Sequence, residues 1–372
     1  MKWEIQKLRS RKINFLPPLL FLLILMIPLL IQLTISQNER DEQKYRTVEA
    51  SLVSDTQEIE RLKQNNGNAN RIETLEKKLT LYNQLLDSMA KNHYFDRLRA
   101  ESDLAKIDYE DMLASNQIGK IVTDQKILIA KLDYFIEKEK VIFEPIQTQR
   151  LPLVNYLIYF SQFIPFIAIW GILLLFMTKF LTDEYTDKTI AWNWAVPRNP
   201  YKILKQKSLI YWFWMSLSLL LPLTLVSGLI SLWNGLGDSQ YPLFFIDNQQ
   251  NVTMKFAYQY LLQLFVGIFL LVIFLTTMCA FIATICHNYP LTLGISFGLI
   301  LISNGLSNDA LASNGFYPGN FFNMPKFIAE NHSEQIYIMY MSLIILSLIF
   351  WVLLKITIVT KEKGRSTLLF RF

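Results

Sequence analysis

Six long apolar runs constrain this chain more than any other feature. They cover residues 14–35, 151–178, 208–234, 256–286, 290–307 and 336–354. A bilayer's hydrocarbon core is about 30 Å thick, and about 20 apolar residues in helical form cross it. A water-soluble fold has no use for six such runs, so the membrane class follows. The expected fold class is an all-α membrane protein: six transmembrane helices, with an extracytoplasmic helical coiled-coil insertion between the first and second. The opening run is too long for a signal-peptide core, and the SQNER after it lacks a small-x-small cleavage site, so it reads as a retained span. Residues 290–307 are short and contain Gly294, Gly298 and Gly305, which suits a half-span or a tilted helix.

Charge then sets orientation. Residues 1–13, 179–207 and 355–372 carry net charges of +4, +3 and +4. The segments between the other ends of the runs, 37–150, 235–255 and 308–335, carry −3, −1 and −2. Lys and Arg accumulate on the cytoplasmic side of membrane proteins. Both termini and the 179–207 loop are therefore expected in the cytoplasm. The net charge of +5 is a topology signal and calls for no nucleic acid. The opening MKWEIQKLRSRK reads as a cytoplasmic amphipathic segment, or as a tail that only fixes topology.

The insertion, residues 36–150, is polar. Ile72, Leu75, Leu79, Tyr82, Leu86 and Met89 recur at spacings of three and four, as along a coiled-coil seam. Leu52, Ile59 and Leu62 form a stripe in another phase, and NNGNAN at 65–70 breaks the helix between them. A second helical stretch is expected over about 121–143, preceded by a turn at Asn116–Gly119. The insertion reads as a helical stalk, as a docking domain for an extracellular partner, or as both.

The chain lacks the usual fuel chemistries. None of the six runs contains Asp, Glu, His, Lys or Arg, whereas ion-driven transporters need titratable or coordinating groups, usually carboxylates, at mid-membrane. No G-x-x-x-x-G-K-[ST] phosphate loop occurs. The three histidines, His93, His287 and His332, have neither catalytic nor metal-ligand spacing. Cys279 and Cys286 lie seven residues apart on one helix, about 10 Å along its axis, which is too far to bridge. No enzymatic activity, metal or cofactor is expected on this chain, so work done by it needs a separate source of energy.

The loop FLTDEYTDKTIAWNWAVPRNPYKILKQK, Phe180–Lys207, is charged, rich in Trp and built to be gripped. It resembles the first cytoplasmic loop of ABC-2 type (type 2 ABC exporter) permeases. That family's pattern is an acidic residue, a Thr five later, a Pro followed by a basic residue, and a Lys before the next span. Here those positions are Glu184, Thr189, Pro197, Arg198 and Lys207. Lys188 stands where the family has Gly, and Arg198-Asn199-Pro200 stands where it has Ser-Arg. The resemblance covers about residues 150–372 and the first span.

The resemblance implies a permease subunit driven through a coupling helix, with ATP and Mg bound by a separate cytoplasmic ABC ATPase subunit present in two copies. It also implies a second permease, identical or homologous, and a multi-pass place in a plasma membrane, here a bacterial one. Asp183, Glu184, Thr189, Trp192, Trp194, Pro197, Arg198, Lys202 and Lys207 are the expected coupling residues. Thr182 or Asp183 would cap the coupling helix, and Glu184 and Asp187 would favour its first turns. Trp192 and Trp194 either fill a partner pocket or belong to the interfacial aromatic belt. The stretch FYPGNFFNMPKFIAEN is expected to supply a re-entrant helix. An amphipathic, peptide or lipid-like cargo suits the uncharged spans. The alternatives are a non-transporting envelope scaffold or sensor acting through the outer coiled coil, and an uncoupled channel or lipid-moving protein.

Overall fold

The computed structural model describes residues 6, 12–34, 37–65, 68–91, 93–117, 119–143, 151–163, 166–186, 200–247, 251–305 and 314–369. The chain is predominantly helical and divides into two compact units. Among the described residues, four helices are long and apolar enough to cross a membrane.

The apolar unit comprises residues 1–29, 152–239 and 257–372. Its helices are α1 (Leu16–Thr34, which continues beyond this unit), α6 (Leu153–Phe163), α7 (Phe166–Thr186), α8 (Pro200–Asn234), α9 (Ala257–Cys286), α10 (Tyr289–Gly305), α11 (Pro318–Phe322), α12 (Met324–Glu330) and α13 (Ser333–Leu369). The four candidate spans are α7, α8, α9 and α13; α10 and the apolar part of α1 are shorter. The run expected over 151–178 is two helices, α6 and α7. Residues 164 and 165, the second of them a proline, lie between these helices and outside the described residues. Pro200 begins α8, where a missing N–H costs nothing.

Helix α9 is the centre of this unit and packs against α7, α8, α10 and α13. Its buried face includes Leu264, Gly267, Leu271, Leu275 and Cys279, a three-to-four spacing. Cys279 and Cys286 are both free thiols. The stretch expected to be re-entrant forms the two short helices α11 and α12, each beginning with Pro at its first or second position. Polar groups fasten them: the Trp170 indole N–H donates to the Phe322 carbonyl at 3.0 Å, and the Tyr317 hydroxyl donates to the Ser303 carbonyl. The Tyr340 hydroxyl donates to the Gln263 carbonyl at 2.6 Å and ties α13 to α9.

The polar unit comprises residues 30–151 and 240–256. Its four full helices are α2 (Gln37–Gln64), α3 (Ala69–Ala90), α4 (Tyr94–Ala114) and α5 (Lys120–Glu137), and each packs on the next. The break at 65–70 lies where NNGNAN predicts it, and the Asn68 side chain caps α3 by accepting from the Asn70 N–H. The expected seam is enclosed only in part, with Tyr82 and Met89 packed against the core cluster. On α3 the buried residues are Leu75, Lys78, Leu85 and Ser88, while Ile72, Leu79 and Leu86 are half-buried. The face turns because α3 packs on α4 as well as α2. Leu85 meets Ala100 and Leu104 of α4, with Val48 of α2 against them.

The unit is not purely helical. Within the expected outer loop, β1 (Pro242–Ile246) and β2 (Val252–Phe256) pair antiparallel, with Leu243 opposite Lys255 and Ile246 opposite Val252. PLFFI and VTMKF carry the aromatic and β-branched residues that suit a pleated, half-buried surface. The hairpin packs on α5 through rings: Tyr134 lies 5.7 Å from Phe244, and Phe135, fully buried, lies 5.4 Å from Tyr241.

Candidate functional site

The residues singled out in the 179–207 loop have separate fates. Thr189, Trp192, Trp194, Pro197 and Arg198 lie outside the described residues. Asp183 and Glu184 belong to the last turns of α7, and Lys202 and Lys207 to the first turns of α8. Both helices run further into the expected loop than the apolar runs do, because no Gly or Pro stops α7 before Thr186.

These two helix ends are locked together. Glu184 Oε1 and Lys207 Nζ are 3.1 Å apart, with side chains 7% and 1% exposed. One turn away on each helix, Phe180 and Tyr211 stack at 5.0 Å with planes 7° apart. The Lys207 ammonium also lies 5.8 Å from the Tyr211 ring centroid. Phe180 and Glu184 on α7 therefore face Tyr211 and Lys207 on α8, each pair spaced i to i+4 along its helix.

Electrostatics explains the pairing. Asp183 and Glu184 sit near a helix C-terminus, where the backbone already carries partial negative charge. An ammonium brought against Glu184 offsets both that field and the cost of burying a carboxylate. Glu184 is therefore buried in the last turns of α7 rather than placed in the first turns of a separate coupling helix. The capping expectation for Thr182 and Asp183 is likewise corrected. Thr182 is inside α7, and its hydroxyl donates to the Thr178 carbonyl at 2.7 Å.

Other elements join the same end of the unit. Tyr185 stacks on His287 at 4.4 Å and 17°, bringing α7 to the end of α9. His287 holds φ at 56°, the left-handed conformation that terminates the helix. The Lys205 ammonium lies 6.0 Å from the Trp351 ring of α13, and Tyr201 meets that ring edge-on at 6.3 Å. Lys202 is exposed. Sequence reasoning set aside Tyr185, His287 and Trp351; only their residue types, aromatic rings beside basic residues, hinted at this cluster.

The cluster holds an ion pair, aromatic stacks and hydroxyls bonded to the backbone, with no nucleophile–base pair among them. Among the described residues no group of three His, Cys, Asp or Glu side chains is placed to hold a metal. Chemically the arrangement can clamp α7 to α8, and through Tyr185 and Tyr201 it engages α9 and α13. No protein-family model matches the chain, and no curated protein or solved structure matches it.

Proposed function

We propose that this chain is the membrane permease subunit of an ATP-driven exporter of the ABC-2 type, working as a dimer of permeases on two separate ATPase subunits. In this reading it crosses a plasma membrane six times with both termini in the cytoplasm. The stretch between α7 and α8 seats on the ATPase, and residues 36–150 form the outer domain. The cargo is amphipathic, peptide or lipid-like.

The supporting observation is the clamp at the root of that stretch. Glu184 and Lys207 are the first and last positions of the loop pattern, and they are joined in a buried ion pair. A loop anchored on two independent helices would dissipate a push as fraying of its ends. With its two roots locked, displacement of residues 187–199 moves α7 and α8 as one body. In this mechanism Glu184 and Lys207 transmit force, and the partner is touched by Trp192, Trp194, Arg198 and the exposed Lys202.

Purification from native membranes in mild detergent tests the assignment. The wild-type chain is expected to retain an ATPase subunit bearing a phosphate loop. Replacing Trp192 and Trp194 together by Ala is expected to release it while the helices remain folded by circular dichroism. An ATPase that stays bound to this double variant defeats the coupling assignment.

A further inference from the structure

Two cavities of the apolar unit share walls at the end of α6 and the start of α7. The first, about 440 Å³, has apolar walls: Phe21 and Leu25 of α1, Phe160 of α6, Trp170 of α7, Leu220 of α8 and Leu264 of α9. The second, about 380 Å³, is lined by Gln162 of α6, Tyr260 of α9, and Asn323 and Lys326 at α12. Ser161 and Phe166 line both. Each volume lies in the range of small-molecule sites, roughly 300–1,000 Å³.

The boundary between them is internally satisfied. Ser161 gives its one hydroxyl proton to the Ile158 carbonyl at 2.7 Å, so across the 3.0 Å contact with Tyr260 the Tyr hydroxyl is the donor. Apart from the Ser216 hydroxyl of α8, the first cavity offers an occupant only apolar contact, and an occupant with several hydrogen-bonding groups there would lose most of their hydration without return. The second offers amide groups and one cation. Lys326 is 63% exposed and held only loosely by Glu330, at 3.8 Å.

We propose that the two cavities form one site for an anionic amphipath, with its hydrocarbon tail among Phe160, Trp170 and Leu264 and its acidic headgroup at Lys326, Gln162 and Asn323. The juxtaposition selects this class. A wholly apolar molecule leaves the polar cavity unused, and a wholly polar one cannot enter the apolar cavity. The binding stands apart from the exporter reading; describing the bound amphipath as the cargo rests on that reading.

The test uses the full chain purified in a neutral detergent, without any ATPase. Lysophosphatidylglycerol and lysophosphatidylcholine, each with a photoreactive tail, are titrated in, and cross-linked residues are mapped by mass spectrometry. Saturable labelling is expected within residues 157–172 and 261–272, tighter for the anionic probe. Lys326→Gln should weaken the anionic probe about threefold, as for one exposed charge pair, and leave the zwitterionic probe unchanged. Leu220→Trp should weaken both about tenfold by filling the apolar cavity, a loss of about 1.4 kcal/mol. Leu220 is 49% exposed, so the larger ring enters from an accessible side; Phe265→Trp, at 38% exposure, repeats the test if the first variant misfolds.

The proposal fails if labelling does not saturate, or if both headgroups bind equally and ignore Lys326→Gln. It also fails if these walls cross-link to a second copy of the chain in place of the probe. A failure here leaves retention of an ATPase untouched. Loss of the ATPase partner would equally leave this binding untouched.

Discussion

Lys207 and Lys78 are both lysines in buried settings, and their partners decide what each one does. Lys207 faces the Glu184 carboxylate at 3.1 Å and is almost fully enclosed. Removing one partner of such a pair strands the other charge, at a cost of about 3–5 kcal/mol, whereas replacing both with apolar groups is often neutral. Glu184→Gln alone should therefore lower the unfolding midpoint of the purified chain sharply, and Glu184→Gln with Lys207→Met should recover most of the loss. Additive single effects would refute the clamp. Lys78 is 9% exposed and faces two carboxylates, Asp108 at 2.7 Å and Asp111 at 2.8 Å; Arg71 reaches Asp111 at 2.8 Å as well. Burial alone would raise the Asp111 carboxyl, but the hydrogen bonds from Lys78 and Arg71 outweigh it and hold the group below its ordinary value of 3.8. Burial alone would lower the Lys78 ammonium, and its bonds to Asp108 and Asp111 outweigh that and raise it above 10.5. A depressed carboxyl contributes stability above its unfolded value and loses it as pH falls through the folded one. Asp55 has the opposite sign, because burial raises it, so its protonation comes first and relieves a cost. The thermal midpoint of the polar unit should hold steady, or rise slightly, down to about pH 4 and then fall. Asp111→Asn should lower that midpoint at neutral pH by about 1–3 kcal/mol of stability and flatten the acid limb. An unchanged acid limb in that variant would show that Asp111 is not the group responsible.

Elements were legible in the sequence to the extent that local signals made them. The apolar runs mark α1, α7, α8, α9, α10 and α13, and NNGNAN marks the α2–α3 break. Asn116 and Gly119, both at positive φ, bound the turn expected before α5. What remained hidden was non-local. Residues 91–93 separate α3 from α4 with neither Gly nor Pro. Lys78 reads as a solvated charge until α4 brings Asp108 and Asp111 to it from some thirty positions away. The strand β2, VTMKF, does alternate apolar and polar residues, but its partner β1, PLFFI, is a short continuous apolar run that periodicity alone does not assign. At the candidate site the positions Glu184 and Lys207 were legible, while their burial was not, because it depends on two helices continuing past their apolar runs. Close approach at α11 is a further hidden feature. A Cβ on Gly319 would stand 2.4 Å from the Ser303 backbone oxygen of α10 and 2.4 Å from the Tyr317 ring. Gly319→Ala should therefore push α11 off α10 and cost about 1–3 kcal/mol. Gly298→Ala, with nothing within 4 Å, should be neutral or stabilising because alanine favours the helix. Thermal unfolding of the two variants side by side decides it, and a stable Gly319→Ala would show that the contact yields.

For the whole molecule, the open question is whether the two shorter apolar helices cross the bilayer. Helix α10 has 17 residues, and at 1.5 Å per residue it is about 26 Å long, slightly under a hydrocarbon core of about 30 Å. A shortfall of that size is met by local thinning of the bilayer at modest cost. Leaving α10 on one surface carries a larger penalty. The turn at His287 and the segment 314–332 would then share a side, and α13 would deliver the tail, with its +4, to the face opposite the 179–207 loop and its +3. That arrangement opposes the positive-inside bias, whereas crossing by both α1 and α10 places all three basic segments together. The expected outcome follows from single cysteines introduced into a chain carrying Cys279→Ala and Cys286→Ala. On intact cells an impermeant maleimide should label cysteine at Ser239 and at Asn314, whereas cysteine at Asn288 and at Ser366 should react only after permeabilisation. Labelling of positions 288 and 314 from the same side would remove α10 from the membrane and, with it, the six-span arrangement, leaving the side of the clamp at Glu184 and Lys207 unchanged.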